Sequence, residues 1–183
     1  MADIQYNFIN LPSRIEFENG HVISYLYDAD GIKLRTTHII GSDTTVTDYC
    51  GNVIYENGIP VKLLTEAGYV TLADSKYHYF VQDHLGNNRV VVDQSGNVEE
   101  VNHYYPFGGL LSSSVSNAVQ PYKYNGKELD RKNGLDWYDY GARMYDAALG
   151  RWHAVDPMSE KYYSWSPYTY CMGNPINHID PDG

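Results

Sequence analysis

At 183 residues, with 13 basic against 23 acidic side chains and a formal charge of -10, the chain suits one domain or one piece of a larger one and lacks the cationic surface that non-specific phosphate binding needs. No apolar run reaches the roughly 18 residues of a membrane span, and Met1-Ala2-Asp3-Ile4-Gln5 has neither the basic nor the apolar region of a signal peptide. Aromatic area comes from 19 Tyr and only 4 Phe, so most buried rings carry a hydroxyl that must find water or a backbone partner, which suits thin sheets better than a dry helical core.

From residue 1 to about 124, short runs rich in β-branched and aromatic residues alternate with turn signals. Strands are predicted at 22–27, 77–81, 89–92 and 101–105. Between them Asp-x-x-Gly recurs, at Asp28 to Gly31, Asp48 to Gly51, Asp83 to Gly86 and Asp93 to Gly96, and once more at Asp180 to Gly183. The Asp carboxylate accepts from the backbone amides that follow it, and Gly enters the left-handed region that reverses the chain. Asn19-Gly20, Asn57-Gly58, Asn125-Gly126 and Asn133-Gly134 add further reversals. The expected fold is mainly β: an antiparallel β-hairpin repeat ribbon over residues 1–124, its degenerate units stacking as an array rather than closing as a globule. Such an array has open edges. It is therefore expected to be part of a larger shell or to self-associate.

After Gly108 the pattern changes. Residues 110–117 read as a small-residue loop, and residues 125–183 as a compact irregular cap dense in aromatics. Short helical turns are expected at 126–129 and 143–149, with Gly150 as a stop, and prolines 157, 167, 175 and 181 hold the rest extended or in turns. Two thiols, Cys50 and Cys171, are too few and too far apart in sequence to suggest a disulfide framework.

The residues that carry a family likeness lie mostly in this second half. Tyr27-Asp28-Ala29-Asp30-Gly31 resembles a YD repeat. The elements Tyr124-Asn125-Gly126-Lys127-Glu128-Leu129-Asp130, Leu135 to Asp146, Gly150-Arg151-Trp152, Asp156-Pro157, Tyr168 to Pro175 and Asp180-Pro181-Asp182-Gly183 together resemble the Rhs repeat-associated core domain. That resemblance implies a hollow β-shell of YD-repeat hairpins that encloses a C-terminal toxin. It also implies a core domain that closes the shell and cuts itself from the toxin with an Arg and two Asp residues. By motif these are Arg143, Asp156 and Asp180. The implied activity is a single-turnover aspartyl-type autoprotease acting just after Gly183, with the scissile bond outside this chain. The implied partners are the remainder of the shell and the toxin domain, in a bacterial parent that is exported or cell-surface. Tyr6 to Pro12 resembles an internal repeat start, as expected of a fragment; Gly183 reads as a processed end, an artificial end or a gene end.

The residues themselves explain why this trio is a candidate. Two carboxylates brought together cannot both ionise cheaply, so the pair can hold one proton, one member activating water while the other protonates the carbonyl or leaving amine. An adjacent Arg holds one member ionised. Both Asp residues precede Pro, which biases each backbone toward extended geometry; without the resemblance they read as turn formers. The seven His residues show no metal-ligand spacing, and no cofactor motif is present. Cys171 with His178 lacks a nucleophile context, and Ser112 to Ser114 lacks the glycines of a nucleophile elbow. Tyr-rich strand faces keep a second reading open, a surface adhesion or carbohydrate-binding module, and a third is a non-enzymatic scaffold remnant.

Overall fold

The computed structural model describes residues 3–112 and 120–183; most of the loop expected at 110–117 lies outside them. The chain forms fifteen short strands among the described residues, with only isolated 3-10 turns between them. It divides into two compact units, residues 1–79 with 93–96, and residues 80–92 with 97–183.

The first unit is a meander. Strands β1 (Asp3–Tyr6), β2 (Pro12–Glu16), β3 (Val22–Tyr27), β4 (Lys33–Ile40), β5 (Asp43–Cys50), β6 (Val53–Glu56), β7 (Ile59–Thr65), β8 (Gly68–Thr71) and the first part of β9 (Lys76–Gln82) each pair antiparallel with the next in sequence. Expected turns hold some of the reversals. Asp28 accepts from the amides of Asp30 and Ile32 at 2.9 Å, and Asn57 and Gly58 both take positive φ, 50° and 80°, as the β6–β7 hairpin requires. Asp48 departs from expectation: it lies within β5, opposite Tyr55, and meets Arg35 at 2.5 Å, because the β5–β6 ladder runs on past it to Cys50 opposite Val53. Bulges occur where Pro12 faces Tyr6 and Pro60 faces Tyr55, since Pro has no N–H to give the ladder. One face of the unit is dry: Ile15 sits opposite Ile23, Ile23 opposite His38 and Tyr25 opposite Thr36, all buried. Farther along, the Tyr69 and His78 rings stack at 4.3 Å across β8 and β9.

The second unit holds β10 (Asn88–Asp93), paired with β11 (Val98–Val101), and a four-stranded sheet of β12 (Glu128–Asp130), β13 (Trp137–Asp139), β14 (Met144–Asp146) and β15 (Arg151–Trp152). The strand expected at 101–105 is displaced. Beyond β11 it continues as a bridge from Tyr104 to Leu110, because the Asn102 side-chain amide turns inward to Glu100 and to the Asn88 carbonyl. The expected helical turns are corrected as well. Residues 126–129 pass from a 3-10 turn into β12, and 143–149 form β14 followed by a turn in which Asp146 accepts from Ala148 and Leu149. Gly150 does end that turn, donating to the Asp146 carbonyl at 2.8 Å.

This sheet stands on rings. Tyr124, Leu129, Tyr138, Tyr140, Tyr145, Trp152 and Tyr170 form one buried cluster, with Tyr140 against Trp152 edge-on at 5.0 Å and Trp152 against Tyr170 at 5.3 Å, geometries that favour aromatic quadrupoles. Every phenol in it has a partner. Tyr124, Tyr145 and Tyr138 donate to the carbonyls of Pro106, Phe107 and Gly108. Tyr140 and Tyr170 both donate to Asn125 Oδ1, at 2.6 and 2.7 Å. Burial pushes the Tyr124 phenol up to about 12 and raises Tyr138, Tyr140, Tyr145 and Tyr170 as well, so all five remain neutral donors.

Candidate active site

The tight β13–β14 turn sets the first side chain. Gly141 takes φ 98°, its amide donates to Asp139 at 2.8 Å, and Tyr140 N–H closes the reversal on the Arg143 carbonyl at 3.2 Å. Arg143 thereby leaves the sheet at the head of β14 and is 5% exposed. Its guanidinium lies 4.4 Å over the Trp152 ring, and Nη1 donates to the Pro167 carbonyl at 3.4 Å. Burial lowers its proton affinity against the opposing pull of Asp156 and Asp180; a guanidinium stays charged through such a shift.

Both aspartates reach this cation. Asp156 follows β15, with its amide on the Pro167 carbonyl and its Oδ1 accepting from Met158 at 2.7 Å. Asp180 Oδ1 accepts from Gly183 at 2.9 Å. In each case the local turn consumes Oδ1 and leaves Oδ2 for Arg143: Nη2 lies 3.7 Å from Asp156 Oδ2 and 3.6 Å from Asp180 Oδ2. Each carboxylate thus serves its own turn through one oxygen and faces the guanidinium through the other. The two side chains are 28% and 26% exposed, so solvent reaches them while Arg143 stays dry.

With Arg143 they line a cavity of about 330 Å³. Cys171 and His178 also face it, but burial pushes the Cys171 thiol up to about 11, the opposite of what a nucleophilic cysteine needs. Both cysteines are free thiols. No His, Cys, Asp and Glu group suited to a metal occurs among the described residues.

Three contacts that the motifs did not announce hold the terminal Asp180 to Gly183 element in place. The Lys127 ammonium donates to the Pro181 carbonyl while lying 5.0 Å over the Tyr140 ring. The Ala142 amide donates to the Asp182 carbonyl at 3.0 Å. Gly183, at φ 92°, packs so closely that a Cβ there would lie 3.0 Å from the Arg143 nitrogen and from Tyr140 Cβ. Lys127 and Trp152 stand inside the quoted motifs, yet nothing in their spacing showed that one clamps the terminal turn and the other supports the guanidinium.

A hairpin meander followed in the chain by an aromatic cap defines a class, the antiparallel hairpin-repeat proteins. The chain belongs to the Teneurin YD-shell family, whose sequence profile matches residues 63–172. It is 32% identical, over 93% of its length, to Salivary gland surface protein 1 of Aedes aegypti, and 30% identical, over 75% of its length, to toxin subunit YenC1 of Yersinia entomophaga. It spans 6% and 15% of those relatives. Its fold is similar to that in the crystal structure of TcdB2-TccC3-TEV, with a TM-score of 0.81 at 18% identity, covering 98% of this chain and 10% of that one. The chain is therefore mainly antiparallel β of the YD-shell kind, matching relatives that include toxin-complex subunits. Among the described residues no helix is long and apolar enough to cross a membrane.

Proposed function

We propose that this chain is a segment of a toxin-enclosing YD-repeat shell, residues 1–124 being the repeat array and 125–183 the cap, and that the cap carries an aspartyl-type self-cleavage site acting just after Gly183. The observation that carries this reading is the convergence of Asp156 and Asp180 on Arg143. In this reading one Asp takes a proton from water as general base. The other, protonated, donates its proton to the carbonyl; as the tetrahedral intermediate collapses it takes that proton back, and the first Asp passes the proton from water to the leaving amine. Arg143 stabilises whichever carboxylate is charged. The Lys127 and Ala142 contacts hold the chain beside the pair, so that the cut is an intramolecular event that happens once. The partners are the rest of the shell and a toxin domain, as the relative named as a toxin subunit supports.

The test is intact mass spectrometry of this chain extended beyond Gly183 by a Leu-led reporter tail, beside Asp156→Asn and Asp180→Asn. Cleavage next to Gly183 in the parent alone is expected. A folded parent that stays whole would leave both residues as turn formers in this segment. A second reading, a surface module, is favoured by the name of the mosquito relative and by the half-exposed Tyr77 and Tyr79 of β9. Glycan binding abolished by Tyr77→Ala and Tyr79→Ala would support it.

A further inference from the structure

A second cluster of chemically able side chains lies away from the Asp pair, in the same unit. Glu100 of β11 and Asn102 just beyond it are both fully buried, and Gln120 and Lys123 nearly so. A single carboxylate oxygen, Glu100 Oε1, accepts from Asn102 Nδ2 at 2.5 Å, from Gln120 Nε2 at 2.9 Å and from the Lys123 ammonium. Meanwhile Glu100 Oε2, Asn102 Oδ1 and Gln120 Oε1 are buried without a hydrogen-bond partner. A buried ion pair is stable only when its remaining lone pairs are satisfied. This one leaves three acceptors dry.

A buried amine, a buried carboxamide and a carboxylate that touches both are the components of an amide-to-amine acyl transfer. We propose that Lys123 and Asn102 become joined by an intramolecular isopeptide bond whose formation Glu100 catalyses. The Lys123 ammonium passes one proton to Glu100, which frees the Nζ lone pair to attack Asn102 Cγ. The Nζ–Cγ bond forms as the carbonyl opens to a tetrahedral intermediate. Nζ then gives up a second proton, which Glu100 relays to Nδ2, already held on its Oε1. The Cγ–Nδ2 bond breaks and Nδ2 departs as neutral ammonia. An ammonium, a carboxylate and a primary amide thus become a secondary amide, a protonated Glu100 and ammonia, with atoms and charge conserved and no oxidant required. The product holds no buried charge, and the proton on Glu100 supplies a donor to a cluster of unpartnered acceptors.

Asn102 is the acyl donor rather than Gln120 because its contact with Oε1 is the shorter and because the Asn88 carbonyl also holds its Nδ2, at 3.0 Å. The bond closes a covalent ring over residues 102–123 and ties the chain after β11 to the chain before β12.

The chain as expressed is weighed intact and then digested and mapped, beside Glu100→Gln. The expected parent is lighter than its sequence mass by one ammonia, and it yields a branched peptide joining Lys123 to Asn102. Glu100→Gln is expected at its full sequence mass with the two peptides separate, its near-ultraviolet circular dichroism showing the aromatic cluster intact. A parent at full mass with separate peptides overturns the proposal, as does a branch at Gln120. An ammonia loss that maps to an Asn-Gly succinimide also overturns it.

Discussion

The two units solve the problem of burying a β-sheet in opposite ways. In the first, each strand meets only its sequence neighbours and each turn is set by a few residues. Its hydrophobic side chains are divided between a dry face and an exposed population that includes Phe8, Ile32 and Ile59. In the second, strands β12 to β15, of two or three residues each, are too short to stand on their own ladders. They are held instead by Trp152 and five hydrogen-bonded Tyr side chains, three reaching backbone carbonyls and two the Asn125 side chain, all more than ten residues away. Repetition builds a scaffold from local rules, whereas a site that gathers Arg143, Asp156 and Asp180 needs a core that fixes distant segments together.

The largest effect that sharpens this contrast is Trp152→Ala. Removing a ring at the centre of the aromatic cluster, and the support under Arg143, is expected to cost about 3–5 kcal/mol in a urea melt. Ile59→Ala, on the exposed face of β7, is expected to stay within about 0.5 kcal/mol of the parent. Equal costs would show that the ribbon's exposed residues carry stability after all.

Gly68→Ala comes next. An added Cβ would lie 2.0 Å from the His78 carbonyl oxygen, so β8 must leave β9, and hydrogen exchange should rise in those two strands. Gly183→Ala acts in the other unit, where positive φ costs about 1–3 kcal/mol for a residue with a side chain. It should release the Asp180 to Gly183 turn without melting the aromatic cluster. Loss of that turn's amide protection with unchanged near-ultraviolet circular dichroism is the expected result.

The acid limb of stability reports a smaller term. Burial raises the Asp146 carboxyl, but His153 and the amides of Leu149 and Ala148 outweigh it and hold the group below its ordinary value. A depressed carboxyl contributes stability that is fully present above the unfolded-state value of about 4 and is lost as pH falls through the lower folded one. Asp146→Asn should therefore flatten the stability profile below about pH 4. Smallest is a reactivity difference. In a Cys50→Ala background, Cys171 alkylation should stay slow at pH 8 and accelerate toward pH 11, because the thiolate is the reactive form.

The ribbon was legible because its signals are local. Val22–Tyr27 is a strand with its expected limits, and Asp28, Asp83 and Asp93 cap turns as the Asp-x-x-Gly spacing requires. The cap's sheet was hidden because alternation fails when both faces are covered: Trp137 and Tyr138 are buried in succession, as are Met144, Tyr145 and Asp146. A strand packed on both sides shows no period of two, and an apolar run such as that of β14 reads as a helical turn.

By itself the sequence determined the class of fold, through the period-two runs and turn chemistry of residues 1–124, and it singled out Arg143, Asp156 and Asp180 through their motifs. Only the tertiary structure decided that these three meet and that each aspartate spends Oδ1 on its own turn and turns Oδ2 to the guanidinium. The same holds for Trp152 beneath Arg143 and for the assembly of Glu100, Asn102 and Lys123 around one oxygen. The physical reason is range. A turn or strand is specified by neighbours a few residues apart, whereas the meeting of side chains dozens of residues apart is set by packing, which no local spacing encodes.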